Sequence, residues 1–469
     1  MKLAVCLIAL IPLPLIAATP KFPFPQKVQY PYGILPTTID HDKVQKAYED
    51  FMELYEENGD KTMARIKHDT EANTVSEGIG YGMMILVYMD NETNNTQAKF
   101  DRLWNYYQKF SGSIGGLMSW RIKGFEGVAN PMMDKNAATD AELDVAVGLL
   151  QAYKQWDDEK YLTAAKSLLE KIIASEVNAN GYLKPGDAWD TEKNPSYFST
   201  AALQLFKQAS SFDWDKVITN SYSLIKKVQN QTTGLIPDWC SENGTPSGGD
   251  RGNYYYDATR TPWRLAWAYC WYGHQDAKDI CTKIASWITT KTGGDPEEIF
   301  NGYTLDGTPI VDYNNSTFIG PFGCAGMVDE SHQEWVDECY QYLPTIPETV
   351  YYQISMKILT MLLLSGNMPD LWTTTNVEPA VKPAAKNVIT NPISINSASG
   401  EVTFTTAKND HVTISFHSLS GQLIATPVNG SFAKGNHRIN FTNNLPAGAY
   451  IVKMQTRAGG LSKRVTIAR

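Results

Sequence analysis

The chain has 469 residues, 43% of them apolar, and a formal net charge of −9. That length accommodates one large domain plus a smaller one, and the composition is globular rather than disordered. The acidic balance argues against nucleic acid or an anionic membrane as the main partner.

The first segment, "MKLAVCLIALIPLPLIAATP", has a short basic start, an apolar run and small residues at Ala17-Ala18. The apolar run is short and holds two prolines, and the segment reads as a cleaved signal peptide over residues 1–18 rather than a retained anchor. Cys6 sits too early to be a lipid-attachment site, and no later stretch is long and apolar enough to span a bilayer. The mature protein is therefore expected to be exported.

From about 41 to 366, helix-period segments alternate with Gly-, Pro- and Asn-rich turns. The pattern predicts helices near 42–58, 76–89, 95–110, 138–156, 158–175, 196–210, 213–229, 258–273, 275–290, 315–328, 331–342 and 348–366. Tight turns join several pairs: Trp156 ends one helix and Asp157-Asp158 open the next, and Gly273 ends another before Asp276. Short-turn pairs of this kind suggest six α-hairpins closed into a ring, with functional loops at one end; a looser all-α array is the alternative.

Residues 373–392, "TTTNVEPAVKPAAKNVITNP" among them, lack a helical stripe and read as a linker. Beyond it, "EVTFTTA", "HVTISFHS", "HRINFTN", "AYIVKMQT" and "SKRVTIAR" alternate apolar and polar residues, predicting a small β-sandwich over 393–469. Its end is locally basic, with Lys453, Arg457, Lys463, Arg464 and Arg469.

Without Cys6, five cysteines remain: Cys240, Cys270, Cys281, Cys324 and Cys339. An odd number leaves at least one thiol unpaired; most read as core residues, and one disulfide is allowed but not assignable. None has metal-ligand spacing. The seven histidines, His41, His68, His274, His332, His411, His417 and His437, lie in no nucleophile motif, and no phosphate loop or dinucleotide fingerprint occurs.

Carboxylates and aromatics remain. Glu77 follows Ser76, a candidate N-cap, and is surrounded by Gly78, Gly80 and Gly82. Asp140, Glu142 and Asp144 open a strongly apolar helix; Asp257 follows three tyrosines, with Arg260 three residues on. Taken singly, each carboxylate is explained by capping and the helix dipole, and Glu142 is left to that explanation. Asp140 and Asp144 share a face, and one of them is allowed to do no more than cap. Together, in a ring of hairpins, the three stretches converge at one end. Trp120, Trp189, Tyr197-Phe198, Trp239 and Tyr254 to Tyr256 fall in turns or at helix ends. Flat rings stack on sugars, and carboxylates between them bind hydroxyls or cleave glycosidic bonds.

The motifs "SEGIGYGMM", "ATDAELDVAVGLLQAYKQW", "YLKPGDAW", "NPSYF", "PDWC", "YYYDATRTPWR", "FIGPF" and "YYQISMKILTMLLLSGN" together resemble glycoside hydrolase family 8, over about residues 23–372. The nearest likeness is to its bacterial endo-β-1,4-glucanases. The resemblance implies an all-α (α/α)6 barrel and an inverting mechanism with no metal or organic cofactor. By position, Glu77 resembles the general acid, Asp257 the base that activates water, and Asp140 the residue that holds and distorts the central sugar. Tyr352 resembles a contributor near the attacking water. Trp120, Trp189, Tyr197 and Tyr256 resemble subsite residues, and Arg260 a partner of the base. An aspartate at position 257 tilts the substrate toward β-1,4-glucan or xylan and away from chitosan; a non-catalytic carbohydrate-binding protein would need neither Glu77 nor Asp257. The tail "LPAGAYIVKMQT…LSKRVTIAR" resembles the C-terminal sorting domains of type IX secretion, with a sugar-binding module as the alternative.

Such a mechanism needs Glu77 protonated near neutral pH. A helix N-terminus works against that, so burial and a nearby Asp140 charge are expected to outweigh the dipole. The glycines beside Glu77 admit two readings, close approach of a sugar or close approach of a neighbouring helix.

Overall fold

The computed structural model describes residues 19–69, 72–374, 394–396, 401–406, 410–418, 423–440, 446, 448–456 and 459–467. The expected signal peptide and nearly all of the expected linker lie outside them. The chain divides into two compact units, Met1–Pro379 and Ala380–Arg469.

Twelve α-helices form the scaffold of the described part of the first unit. They are α1 (His41–Met52), α2 (Ser76–Tyr88), α3 (Gln97–Lys109), α4 (Thr139–Trp156), α5 (Glu159–Ser175), α6 (Thr200–Ala209), α7 (Trp214–Val228), α8 (Arg260–Tyr272), α9 (Gln275–Thr292), α10 (Ser316–Gly326), α11 (Gln333–Tyr342) and α12 (Tyr351–Leu364). The even-numbered helices touch in the cycle α2–α4–α6–α8–α10–α12–α2, and an odd-numbered helix packs against each, with α1 against α12. This arrangement is consistent with an (α/α)6 barrel. Sequence explains the two layers. In α2, α4, α10 and α12 nearly every side chain is buried, so they present almost no solvent-facing side, whereas α1, α3, α5 and α7 bury one stripe and expose the other.

The glycines serve the packing reading. A Cβ added to Gly80 would lie 3.0 Å from both the Ala141 carbonyl and Asp144 Cβ, and one added to Gly148 would lie 3.1 Å from Met83 Cβ. α2 and α4 thus approach through reciprocal bare backbone. At Gly78 the added atom would meet the Tyr351 ring 3.1 Å away.

Turns end the helices where expected: Asp157 caps α4 in the left-handed region and the Asp158 side chain accepts from the Lys160 amide, while Gly273 (φ 66°) closes α8. Two expectations are corrected. The helix predicted over 42–58 stops at Met52, because β1 (Tyr55–Glu57) pairs with β2 (Ala64–Ile66). Ser76 does not cap α2: it is the first helical residue, its amide donates to the Trp120 carbonyl at 2.8 Å, and its hydroxyl has no protein partner. The cysteines are core residues, as read from the sequence: Cys240, Cys270, Cys281, Cys324 and Cys339 are all buried free thiols, with no disulfide among them.

A small sheet sets the rim. β3 (Asn73–Val75) runs directly into α2 and pairs with β4 (Arg121–Lys123), which pairs with β5 (Gly127–Val128). It fixes Trp120 beside the start of α2, where Glu77 sits. At the other end, the segment around Phe22 to Tyr30 crosses the C-termini of the inner helices: Gln26 donates to the Tyr88 carbonyl and Tyr30 to that of Leu363.

The second unit has seven antiparallel strands among the described residues: β6 (Ser394–Asn396), β7 (Glu401–Thr406), β8 (Asp410–His417), β9 (Leu423–Phe432), β10 (Gly435–Asn440), β11 (Gly448–Thr456) and β12 (Gly459–Ile467). They form sheets ordered β10-β7-β6 and β12-β11-β8-β9, and Val402, Phe404, Val412, Ile414, Phe416 and Val452 share one apolar cluster.

Candidate active site

α2, α4 and α8 begin at the same end of the ring, and Arg260, the first residue of α8, ties their starts together. Its Nη1 donates to Glu77 Oε2 at 2.5 Å and to Asp140 Oδ2 at 2.8 Å; its Nη2 donates to Asp257 Oδ1 at 2.5 Å. Nε donates to Ser196 Oγ at 3.1 Å, and the guanidinium lies over the Tyr197 ring, 5.2 Å from its centroid. Arginine suits this bridging because its planar fork presents donors in several fixed directions. Asp257 lies in the turn just before α8 rather than within its first turn.

The carboxylates differ in access. The side chains of Glu77 and Asp257 are 17% and 33% exposed, whereas that of Asp140 is 3% exposed, and its Oδ1 has no protein partner. Three ionised carboxylates on one guanidinium would leave an excess of negative charge in a largely dry site. Asp140 takes up part of that load: burial first, then the Glu77 charge, push its pKa up to about 7 against the pull of Arg260. Around neutral pH Asp140 is therefore partly protonated.

Asp144 does not cap either. It forms a bidentate pair with Arg264, at 2.7 and 2.8 Å, with both side chains buried. Glu142, set aside as a terminal acid, is buried and accepts from the Tyr107 hydroxyl at 3.1 Å. Burial and the neighbouring Glu176 raise its pKa well above the usual carboxyl range.

Two side chains that sequence reasoning missed hold Glu77 and the turn that carries Asp257. The Tyr351 hydroxyl donates to Glu77 Oε1 at 2.9 Å. Asp238 Oδ1 accepts the amides of Tyr255 (2.9 Å) and Ala258 (2.7 Å), clamping the turn on both sides of Asp257, while the adjoining Trp239 indole donates to Asp257 Oδ2 at 2.8 Å. Burial, and then Asp257, raise the Asp238 pKa to about 7. The "PDW" triplet carried the available signal. Tyr352, the expected contributor, donates to the Tyr256 carbonyl at 2.8 Å.

Beside the carboxylates runs a cleft of about 450 Å³ lined by Trp120, Trp189, Tyr197, Trp239, Asn136 and Pro185, among others. Trp189 and Trp239 stack at 4.7 Å, and Arg251 lies 4.4 Å over Trp239. Trp120, Trp189 and Tyr197 are thus brought together. Tyr256 stands apart from this wall, its hydroxyl accepting from Asn301 (3.3 Å) and Asn315 (3.4 Å). Among the described residues no three His, Cys, Asp or Glu side chains are arranged to hold a metal ion.

Residues 22–366 match the profile described as "Glycosyl hydrolases family 8". The chain belongs to glycoside hydrolase family 8. It is a glycoside hydrolase, and its relatives in the family bear this out. It is 35% identical over 378 residues to "Endoglucanase 2" of Ruminiclostridium josui, covering 76% of this chain and 79% of that one. It is 34% identical to "Endoglucanase A" of Acetivibrio thermocellus, with 74% of each chain covered. Among solved structures, a "Beta-1,3-1,4-glucanase" from Paenibacillus sp. X4 superposes with a TM-score of 0.70 at 30% identity, over 74% of this chain and 99% of that one. No described helix of this family 8 enzyme is long and apolar enough to cross a membrane.

Proposed function

We propose that the enzyme hydrolyses internal β-1,4 bonds of cellulose or mixed-linkage β-glucan with inversion, Glu77 acting as general acid and Asp257 as general base. One observation carries this reading: Glu77 and Asp257, both partly exposed, take different nitrogens of one buried guanidinium, so Arg260 stands between the two carboxylates as a spacer. An inverting pair must be held apart, about 6.5–9.5 Å, to admit a water. Glu77 gives its proton to the leaving glycosidic oxygen. Asp257, oriented by the Trp239 indole, takes a proton from the water that attacks the anomeric carbon from the opposite face. Asp140 holds the central sugar, and Tyr352 lies near the water. Trp120, Trp189, Tyr197 and Tyr256 supply subsites.

The relatives named as glucanases support glucan as the substrate. Those named for xylose release stand lower, at 24% identity. In the same reading, residues 1–18 direct export, 23–372 form the catalytic barrel, 373–392 link it to the strands, and 393–469 form a β-sandwich serving type IX secretion. The enzyme then acts outside the cell or at its surface.

The test is reducing-end release from carboxymethylcellulose, mixed-linkage β-glucan, xylan and chitosan, with Glu77→Gln alongside. Release from the glucans, abolished in the variant, is expected. Release mainly from xylan or chitosan would replace the substrate, and an active variant would overturn the acid assignment.

A further inference from the structure

Away from the cleft, a groove of about 730 Å³ runs between the outer helices α3 and α5. Its α3 wall carries Asp101, Trp104, Asn105 and Gln108, successive residues of one helix face; its α5 wall carries Lys160, Thr163, Ser167 and Lys171, again on one face. The stretch from Lys160 to Lys171 is roughly 16 Å of helix. Trp104 is partly exposed and stacks on the buried Tyr107, with centroids 5.2 Å apart and planes at 16°. That stacking holds the indole as a fixed platform.

The charges of the groove are spent within the protein. Lys160 pairs with Asp101 at 3.0 Å, and Lys171 donates to the Gly116 carbonyl at 2.9 Å. The side chains left unengaged are neutral hydrogen-bonders: Gln108 from α3, and Thr163 and Ser167, one turn apart on α5, all exposed. An aromatic face with neutral amide and hydroxyl groups beside it suits neither a nucleic acid nor an acidic peptide. It matches a neutral sugar ring, which stacks by its apolar face and bonds by its hydroxyls. The groove also connects to the cleft through the chain, since the loop that leaves α3 at Ser111 and crosses Lys171 at Gly116 ends at Trp120 on the cleft wall.

We propose that this groove is a second, non-catalytic binding site for a β-glucan chain, centred on Trp104, which holds polymer near the cleft. The class of polymer rests on the proposed glucanase reading. Two variants test the site: Trp104→Ala removes the platform, and Thr163→Arg fills the groove from an exposed position. Each is assayed on a short soluble cello-oligosaccharide, which reads the cleft alone, and on polymeric β-glucan at limiting concentration. Each is also combined with Glu77→Gln and run in native gels containing mixed-linkage β-glucan. The expected result is oligosaccharide hydrolysis within about twofold of the parent, polymer hydrolysis down at least threefold, and gel retardation at least halved. Unchanged retardation in both variants overturns the groove. If the parent cleaves no oligosaccharide, the glucanase reading fails, and the gel still decides whether the groove binds glucan.

Discussion

Arg260 brings one positive charge to three carboxylates, so the protonation of the site is a property of the group rather than of any one residue. Sequence motifs pointed to Glu77, Asp140, Asp257 and Arg260, because each begins a helix or sits in the turn before one. Tyr351 and Asp238 were harder to see. A tyrosine on an apolar helix and an aspartate in a turn have ordinary structural explanations, and their partners lie 274 and 17–20 positions away in the chain. Tyr351→Phe keeps the ring against Gly78 but removes the donor to Glu77; kcat should fall about tenfold or more with KM little changed, since hydrogen bonds to charged groups are worth about 1.5–3 kcal/mol. Asp238→Asn keeps an acceptor for the Tyr255 and Ala258 amides and mimics the protonated acid. Below pH 7 its activity should match the parent within about twofold, whereas Asp238→Ala releases the turn and should lose most of its activity at any pH. A pH–rate profile of both variants checks this.

At the scale of elements, twelve helices were legible, the outer ones from their apolar stripe and the inner ones from apolar runs bounded by turn residues. Ends were less legible where tertiary pairing overrode propensity: the three-residue strands Tyr55–Glu57 and Asn73–Val75 are too short to show alternation. The glycines of α2 were legible as unusual but ambiguous, and their partner Gly148 on α4 settles them as packing. The Asp144–Arg264 pair joins two inner helices through fully buried charges. Arg264→Met should destabilise the fold by about 3–5 kcal/mol in chemical denaturation, because it strands a buried carboxylate. Adding Asp144→Leu should recover much of that loss; no recovery would show that the pair matters through shape rather than charge.

For the whole molecule, raised carboxyl pKa values set a direction for stability. Asp140 and Asp238 are pushed up to about 7, and Glu142 and Glu176 well above the usual range, with burial the first cause for each. A folded pKa above the unfolded value contributes stability at low pH that is lost as pH rises through the folded value. The melting temperature should therefore fall from pH 6 to pH 9, and Glu142→Gln should lessen that fall. Chain-level legibility was uneven. The change from helical to alternating patterning near residue 373 was plain, whereas the role of the strand-rich unit rests on short turn motifs common to many small sheets.

Single displacement by water between Glu77 and Asp257 is the core of the proposed mechanism. Proton NMR of the first product released from a β-1,4 cello-oligosaccharide, recorded before mutarotation, tests it most directly. The α-anomer at the new reducing end is expected. The β-anomer would mean a covalent intermediate and a closely spaced pair, and would contradict it.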